Sequence, residues 1–533
     1  MTAAALLAAG LLAVQSPEPR TFDVGPGPAP QSINRVAAQA GVDVVIAIDL
    51  SGRRTQALHG RMSADAALER LLRPISARAV RIRDGVYRIE AAYLRSRPSL
   101  RREPRVPEPL PTELSEVVVT AVPPVGLRGA SGRTVVDPAA LQRVEGQAAS
   151  EAIADLSATV ASTRQGTGRN KLFVRGLADS ALNGPLQATI GQYLGDLRLS
   201  YGSPDPDLAL IDIHRIEVFE GPQGTRFGVG AIGGILRLEP KSPTLDATYG
   251  RIVVGAGVTS GGAESGDASV IFNRPLDGRT AFRLVAYARL DGGFIDNPAQ
   301  DRREADRVET VGGRIALRWT DETWTVDVTG VAQRIASADT QTIAVGESRF
   351  TKASLVAEPY ESTFALAGVT AHREISHGRL SSATSFSHQR LDERFDASQS
   401  SESFPSLVDR RQTTLTAASE LRVDLDPLAG WTWSGGAAIA LGETRATRRR
   451  RILSPEPASA VGVDLERSFA EAAFFGEASV SPAPDWRVAI GARLSAVRID
   501  TDILTVSTAA RSASDRNGAS VRVTPSLSAR WDA

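Results

Sequence analysis

The chain has 533 residues, with 61 basic and 61 acidic side chains, no cysteine and five histidines. The balanced charge leaves no electrostatic footprint for nucleic acid. The missing cysteine excludes disulfides, thiolate metal centres and cysteine catalysis, and the histidines stand in neither an HxxxH nor an HExxH arrangement. No run of about 18 apolar residues follows the N-terminus, so no membrane-spanning helix is expected. A β-barrel stays open, because its signal is weak strand by strand.

Ala3 to Val14 is a short apolar run of small residues, read as the core of a signal peptide over residues 1–16 with cleavage near Ser16. It lacks the usual basic start, since no Lys or Arg precedes Arg20. Residues 21–91 read as a compact α+β unit. Thr21 to Val24 is a strand; Gln31 to Ala40 is a helix with Ile33, Val36, Ala37 and Ala40 on one face and Gly41 as its stop. Val42 to Ile48 is a β-branched strand. Ser63 caps a second helix that buries Ala67, Leu68, Leu71 and Leu72 ahead of Pro74. Asp84-Gly85 turns a hairpin between Ala79–Ile82 and Val86–Ile89. The opening Phe22-Asp23-Val24, the Gln39-Ala40-Gly41 of the helix and the closing Asp84-Gly85-Val86-Tyr87-Arg88-Ile89 resemble the short secretin and TonB N-terminal domain. That resemblance implies a periplasmic signalling extension with an anti-sigma regulator as partner. Any small βαβ-like module is the alternative.

Residues 92–121 begin as a spacer with prolines at 98, 104, 107, 109 and 111 among charges, extended and semi-rigid. The spacer ends in Ser115-Glu116-Val117-Val118-Val119-Thr120-Ala121. A β-branched run after a linker suits addition to a partner's sheet edge through main-chain hydrogen bonds; an ordinary first strand is the alternative.

Residues 122–240 hold the most informative stretch. Ser150 to Leu156 has a cap and helical spacing. Leu172 to Val174 leads into Arg175-Gly176, and Gln192-Tyr193-Leu194 into Gly195-Asp196. Ile213 to Val218 alternates, with Ile213, Arg215 and Glu217 against His214, Ile216 and Val218, and a Gly221-Pro222-Gln223-Gly224 turn follows. Next come a loop with glycines at 228, 230, 233 and 234 and a strand, Ile235 to Leu238, stopped by Pro240. Gly228 to Gly233 fits the dinucleotide spacing G-x-G-x-x-G, but that fingerprint must open a helix and here a strand follows.

Arg215 to Thr225 together with Phe227-Gly228 and Ala231-Ile232-Gly233-Gly234-Ile235 resembles the plug domain of TonB-dependent outer-membrane receptors, an α/β domain. Arg226 departs from it, standing where an apolar residue is usual, as does Gly195-Asp196, the reverse of the family's Asp-Gly. The resemblance extends to Leu172–Leu177, with its Arg175-Gly176, and makes Glu116, Val117, Val118, Val119 and Thr120 the segment that binds TonB. It marks Arg175, Gly176, Arg215, Glu217, Gly221, Pro222, Gly224, Gly228, Gly233 and Gly234 as plug motif residues. Buried charges need partners, so Arg175, Arg215 and Glu217 are expected either to pair with the surrounding wall or to lie solvated on the plug surface.

From residue 248 to 533 long alternating runs dominate. Trp324, Val326 and Val328 oppose Thr325, Asp327 and Thr329; Leu415, Ala417, Leu421, Val423 and Leu425 oppose Glu420, Arg422 and Asp424; Trp486, Val488, Ile490, Ala492 and Leu494 share a face. Short connections near 276–279, 320–323, 376–378, 426–430 and 481–485 alternate with long ones near 291–308, 335–358, 394–409, 447–466 and 501–517. That asymmetry belongs to an antiparallel transmembrane β-barrel with a polar lumen; a soluble sandwich is the alternative. The run Arg448 to Arg451 is expected in a solvated loop. Aromatics, at 5%, are thin for two girdles. About twelve strands are expected, against about 22 in plugged outer-membrane transporters, so the chain reads as an N-terminal part of a receptor. No nucleophile elbow, metal triad or P-loop is present, so neither an enzyme nor a cofactor is expected. The resemblance implies uptake of a scarce ligand, a ferric siderophore foremost, across the cell outer membrane, with TonB as energy-transducing partner. A signalling or non-transporting protein is the alternative.

Overall fold

The computed structural model describes residues 20–91 and 133–531, apart from 47–49, 51, 76, 84, 137, 179–187, 203, 344–349, 399–403, 429, 455–460, 484 and 507–510. The expected signal peptide, the spacer and the segment Glu116 to Thr120 lie outside the described residues. The chain divides into two units, residues 1–118 and 119–533.

In the first unit the helix Ala29–Ala40 starts two residues before the expected Gln31, because Pro30 sits in its first turn, where the missing N–H costs nothing. Gly41 closes it. The helix Ala64–Leu72 is capped by Ser63, whose Oγ accepts from the Ala66 N–H at 3.3 Å. Strands Ala77–Arg83 and Val86–Ala91 form the hairpin, and Asp43–Ile46 joins it in parallel. The strand Leu58–Met62, which carries no apolar alternation, is a finding of the structure; it pairs antiparallel with Arg20–Val24. Phe22, Ile33, Leu58, Leu68, Leu72 and Ile89 are fully buried in a core of this unit's own.

The second unit opens with a five-stranded mixed sheet. Its strands run in the order Leu197–Arg198, Ile190–Leu194, Gly234–Pro240, Ile213–Glu220, Arg133–Val135. Ile190–Leu194 and Gly234–Pro240 are parallel and the other pairs antiparallel. The helix Ala149–Leu156 is not capped by Ser150 as expected: Ser150 lies inside the first turn, and the Asp207 carboxylate reaches in from a distant loop to accept from the Ser150 N–H and Oγ at 2.9 and 2.8 Å. The turn after Pro222 also differs, since Gly224–Phe227 is a short helical turn. Pro240 ends the last strand from inside it.

A twelve-stranded antiparallel sheet follows, from Tyr249–Val258 to Arg511–Trp531, each strand paired with its neighbours in sequence. Among the described residues nothing pairs the first strand with the last. The alternation holds. Ile252, Phe386, Leu415, Ile439, Phe474 and Val521 are exposed on the outer face, while Arg283, Gln333, Ser385, Gln412, Arg422 and Arg493 are buried on the inner one. From Trp433 to Glu443 the outer face runs ten residues, about 33 Å of strand, or about 25 Å after the tilt of a barrel, the height of a barrel's apolar band.

At the long-connection end the strands run further than expected. Ser406–Leu428, Trp431–Ile452 and Val461–Ala483 have 23, 22 and 23 residues, so the connections near 394–409, 447–466 and 501–517 shrink to 397–405, 453–460 and 507–510. Arg448 to Arg451 therefore lies in a strand rather than a loop, because cross-strand ion pairs such as Arg449–Asp464, at 2.5 Å, carry the pairing beyond the apolar band. Among the described residues no helix is long and apolar enough to cross a membrane.

The first unit's separate core predicts that residues 20–91 unfold independently. Leu68→Ala, at a fully buried site, is expected to destabilise that unit by about 2–5 kcal/mol, measured by urea denaturation of the isolated segment, while leaving amide exchange in the strand wall of the full chain unchanged.

Candidate functional site

The Gly221–Gly234 stretch is built by its own main chain. Gly221 N–H donates to Gly233 O at 3.1 Å, Gln223 N–H to Ala231 O at 2.8 Å and Gly233 N–H to Thr189 O at 2.8 Å, which closes a compact loop. Glycine is required at two points. Gly228 has φ 71° and an added β-carbon would stand 2.6 Å from the Arg493 guanidinium. Gly234 has φ 150° and faces the Phe219 carbonyl, which leaves no room for a side chain. Gly224 packs beside Thr524 of the last wall strand, and Thr225 Oγ1 donates to the Thr524 carbonyl at 3.4 Å. A cavity of about 1110 Å³ separates this loop from the wall, lined by Pro222, Gly228 and Ile232 on one side and Arg467, Glu471 and Arg493 on the other.

Beneath the loop, Glu217 is 0% exposed. It pairs with Arg133 of the edge strand, with Arg215 Nε at 3.0 Å and with Arg237 Nη1 at 3.4 Å. Arg237 also donates to the Gly195 carbonyl at 2.9 Å and to Asp196 at 3.0 Å, and stands 3.0 Å from Glu239. Burial alone would push the Asp196 carboxyl up; the charges of Arg237, Arg422, His372 and Arg226 outweigh it and bring it down to about 2. Arg226, the departure from the plug pattern, is buried on the wall side with Nε and Nη2 unpartnered. Burial and the neighbouring Arg422 depress it to about 10, against the pull of Asp424, Glu477 and Glu420.

Arg215 and Glu217 thus pair within the plug, neither with the wall nor with solvent as expected, because the sheet's second face is covered and the charges meet each other first. Arg175 is exposed in a turn with Gly176 and packs its guanidinium beside Gly221. Other side chains tie plug to wall. Asp212 receives Arg283 Nη2 and Nε at 2.7 Å each and Arg314 Nη2 at 3.2 Å. Arg169 lies between the Tyr360 and Phe395 rings, 5.2 and 5.4 Å from their centroids, and 3.2 Å from Glu393. Gln333 Oε1 accepts from the Ala209 N–H at 2.8 Å and its Nε2 donates to the Asp207 carbonyl at 3.1 Å. Asp196 stands 3.7 Å from His372. Sequence offered one signal for these partners, the inward alternation of Arg283 and Gln333, and none for Asp212 or Arg169.

Breaking the Glu217 cluster leaves buried guanidinium groups without their carboxylate. Glu217→Gln is expected to destabilise the plug by about 3–5 kcal/mol, seen as faster amide exchange in Ile213–Glu220 and Gly234–Pro240 of the full chain with the wall unchanged. Asp196 has a folded value depressed from 3.8 to about 2, so its contribution is complete above 3.8 and is lost as pH falls through about 2. Asp196→Asn is expected to remove that acid sensitivity from the same exchange profile.

The family model described as TonB-dependent Receptor Plug Domain matches residues 128–235. Among solved structures, the ferric yersiniabactin uptake receptor FyuA from Yersinia pestis aligns with TM-score 0.65 at 16% identity, over 75% of this chain and 63% of that one. The siderophore receptor PiuA from Acinetobacter baumannii aligns with TM-score 0.59 at 11% identity, over 75% and 62%. The ferripyoverdine receptor of the Pseudomonas aeruginosa outer membrane aligns with TM-score 0.56 at 13% identity, over 97% and 69%. The chain therefore spans less than two thirds of the first two of these structures. The chain carries a plug domain of the TonB-dependent receptor kind, set against an antiparallel strand wall with the fold of those receptors.

Proposed function

We propose that this protein belongs to an outer-membrane uptake system. The plug gates a lumen bounded by the strand wall, and the inner-membrane TonB complex drives the plug's rearrangement by pairing with residues 116–120. The observation that carries the reading is a plug seated by buried polar contacts on the inner face of a wall whose outer face is apolar over about 25 Å. The plug's seat combines apolar packing, in which Val331, Phe364 and Leu366 of the wall join the plug core, with directional ion pairs. Ion pairs can be exchanged for others as the plug moves.

A ferric siderophore is the proposed cargo. PiuA is a siderophore receptor, FyuA a ferric yersiniabactin uptake receptor and the third a ferripyoverdine receptor. The copper transporter OprC shares the fold at 13% identity, so the fold alone does not select the cargo. Residues 21–91 are proposed to be periplasmic and to signal to an anti-sigma regulator; a hydrophobic core of their own suits a separate domain.

Proline has no N–H to donate and disrupts an added strand. Val118→Pro is expected to abolish energised uptake of radiolabelled ferric siderophore by cells while leaving binding at the surface intact; uptake at the unsubstituted rate would remove the TonB assignment. Deletion of residues 21–91 is expected to abolish ligand-dependent transcription from a reporter and to spare uptake, and persistent induction would refute the signalling role.

A further inference from the structure

The outer face of the wall changes character within a few residues. In the strand Ser406–Leu428, Leu415 and Leu421 are exposed and apolar, whereas Asp409 and Arg411 on the same face are charged. The neighbours in register repeat the change: Phe386 gives way to Arg390, Asp392 and Arg394, and Leu441 to Arg445, Arg449 and Arg451. The charges form two triads. Asp392 lies between Arg390 Nε at 2.8 Å and Arg411 Nε at 2.5 Å. Asp409 lies between Arg394 Nε at 2.8 Å and Arg451. Each carboxylate faces two guanidinium groups, so each triad keeps one positive charge and spare N–H donors. Arg411 and Arg451 are the outer members, 67% and 52% exposed.

Two grooves lie on this face, one above the other. The upper, about 900 Å³, is lined by Arg394, Arg411, Arg449 and Arg451, with Glu309, Glu361 and the two triad carboxylates also on its wall. The lower, about 730 Å³, is lined by Phe386, Leu415, Ala417 and Leu441, with His388, Glu443, Arg498 and Asp500 also reaching it. Arg411 and Leu415 are four residues apart on one strand, about 13 Å. After the tilt of a barrel that is about 10 Å along the membrane normal, enough to pass from the headgroup region into hydrocarbon. A free anion would use only the upper groove and a neutral lipid only the lower.

We propose that this face is a specific binding site for a lipid with an anionic phosphate headgroup. The phosphate sits among Arg394, Arg411 and Arg451 in the upper groove and an acyl chain lies in the lower one. Guanidinium groups hold phosphate oxygens bidentately, and each basic residue at a membrane surface contributes about a fivefold preference for anionic lipid. The inference rests on the reading of the wall as membrane-spanning.

The test uses the full chain in detergent, mixed with vesicles of phosphatidylcholine with or without phosphatidic acid, and measures the lipid retained on re-extraction. Phosphatidic acid is expected to be retained over phosphatidylcholine. Arg411→Gln with Arg451→Gln, which leaves Asp392 paired with Arg390 and Asp409 with Arg394, is expected to lower that preference roughly thirtyfold. Leu415→Ser is expected to weaken retention of both lipids without changing their ratio. An unchanged preference in the double arginine variant would overturn the proposal, and so would displacement of the lipid by inorganic phosphate alone, which would show a free-anion site. A chain that stays soluble without detergent and joins neither vesicle would instead refute the membrane reading, and this site with it.

Discussion

The rest of the plug depends on a carboxylate with no access to water. Glu217 is carried by the strand Ile213–Glu220, one strand in from the edge of the five-stranded sheet, and is fully buried there, where an unpaired charge would be prohibitive. Three arginines from three strands meet it: Arg133 from the edge strand, Arg215 from its own strand and Arg237 from the neighbour. The cluster fastens the short edge strand Arg133–Val135, which has only a three-residue ladder of its own, to the centre of the sheet. Through Arg237 it also reaches the Gly195–Asp196 turn, and Asp196 in turn faces His372 of the wall. One buried charge therefore links the edge strand Arg133–Val135 to the inner face of the wall.

The polar part of the plug's seat is unevenly distributed. Asp212 with Arg283 and Arg314 holds the start of the strand Ile213–Glu220, and Arg169 with Glu393 and two aromatic rings holds a distant loop. Between them the glycine loop approaches Arg493 so closely that only Gly228 fits, and a cavity remains where the loop and wall part. Such a seat is specific in register and costly to break piecemeal, since each removed partner leaves a buried charge behind.

The wall has two unlike ends. All six tryptophans, at 319, 324, 431, 433, 486 and 531, lie beside the short connections or at the end of the last strand, and Trp486 and Trp531 stack with centroids 6.5 Å apart. The opposite end has arginine–carboxylate ladders instead. The tryptophans thus gather at one end of the wall and paired charges at the other. Amphipathic rings suit one membrane interface; guanidinium groups suit another that presents phosphate.

The sequence by itself determined the architecture. Period-two alternation is a local property, so Leu415 to Leu425 and Trp486 to Leu494 declared an outer face without any partner in view. The turn residues around Asp84-Gly85, the cap at Ser63 and the glycines of 221–234 likewise act on their immediate neighbours. Only tertiary structure decided which charges meet. Glu217, Asp212 and Arg169 read alike as polar residues in a line of text, yet one closes the plug on itself and two fasten it to strands 70 or more positions away. It also decided that Asp207, not Ser150, completes the helix start, and that Arg448 to Arg451 continues a strand. The reason is range: a hydrogen-bond ladder or a helical face is set by residues a few positions apart, whereas a buried ion pair is chosen by which groups the completed fold shields from water together.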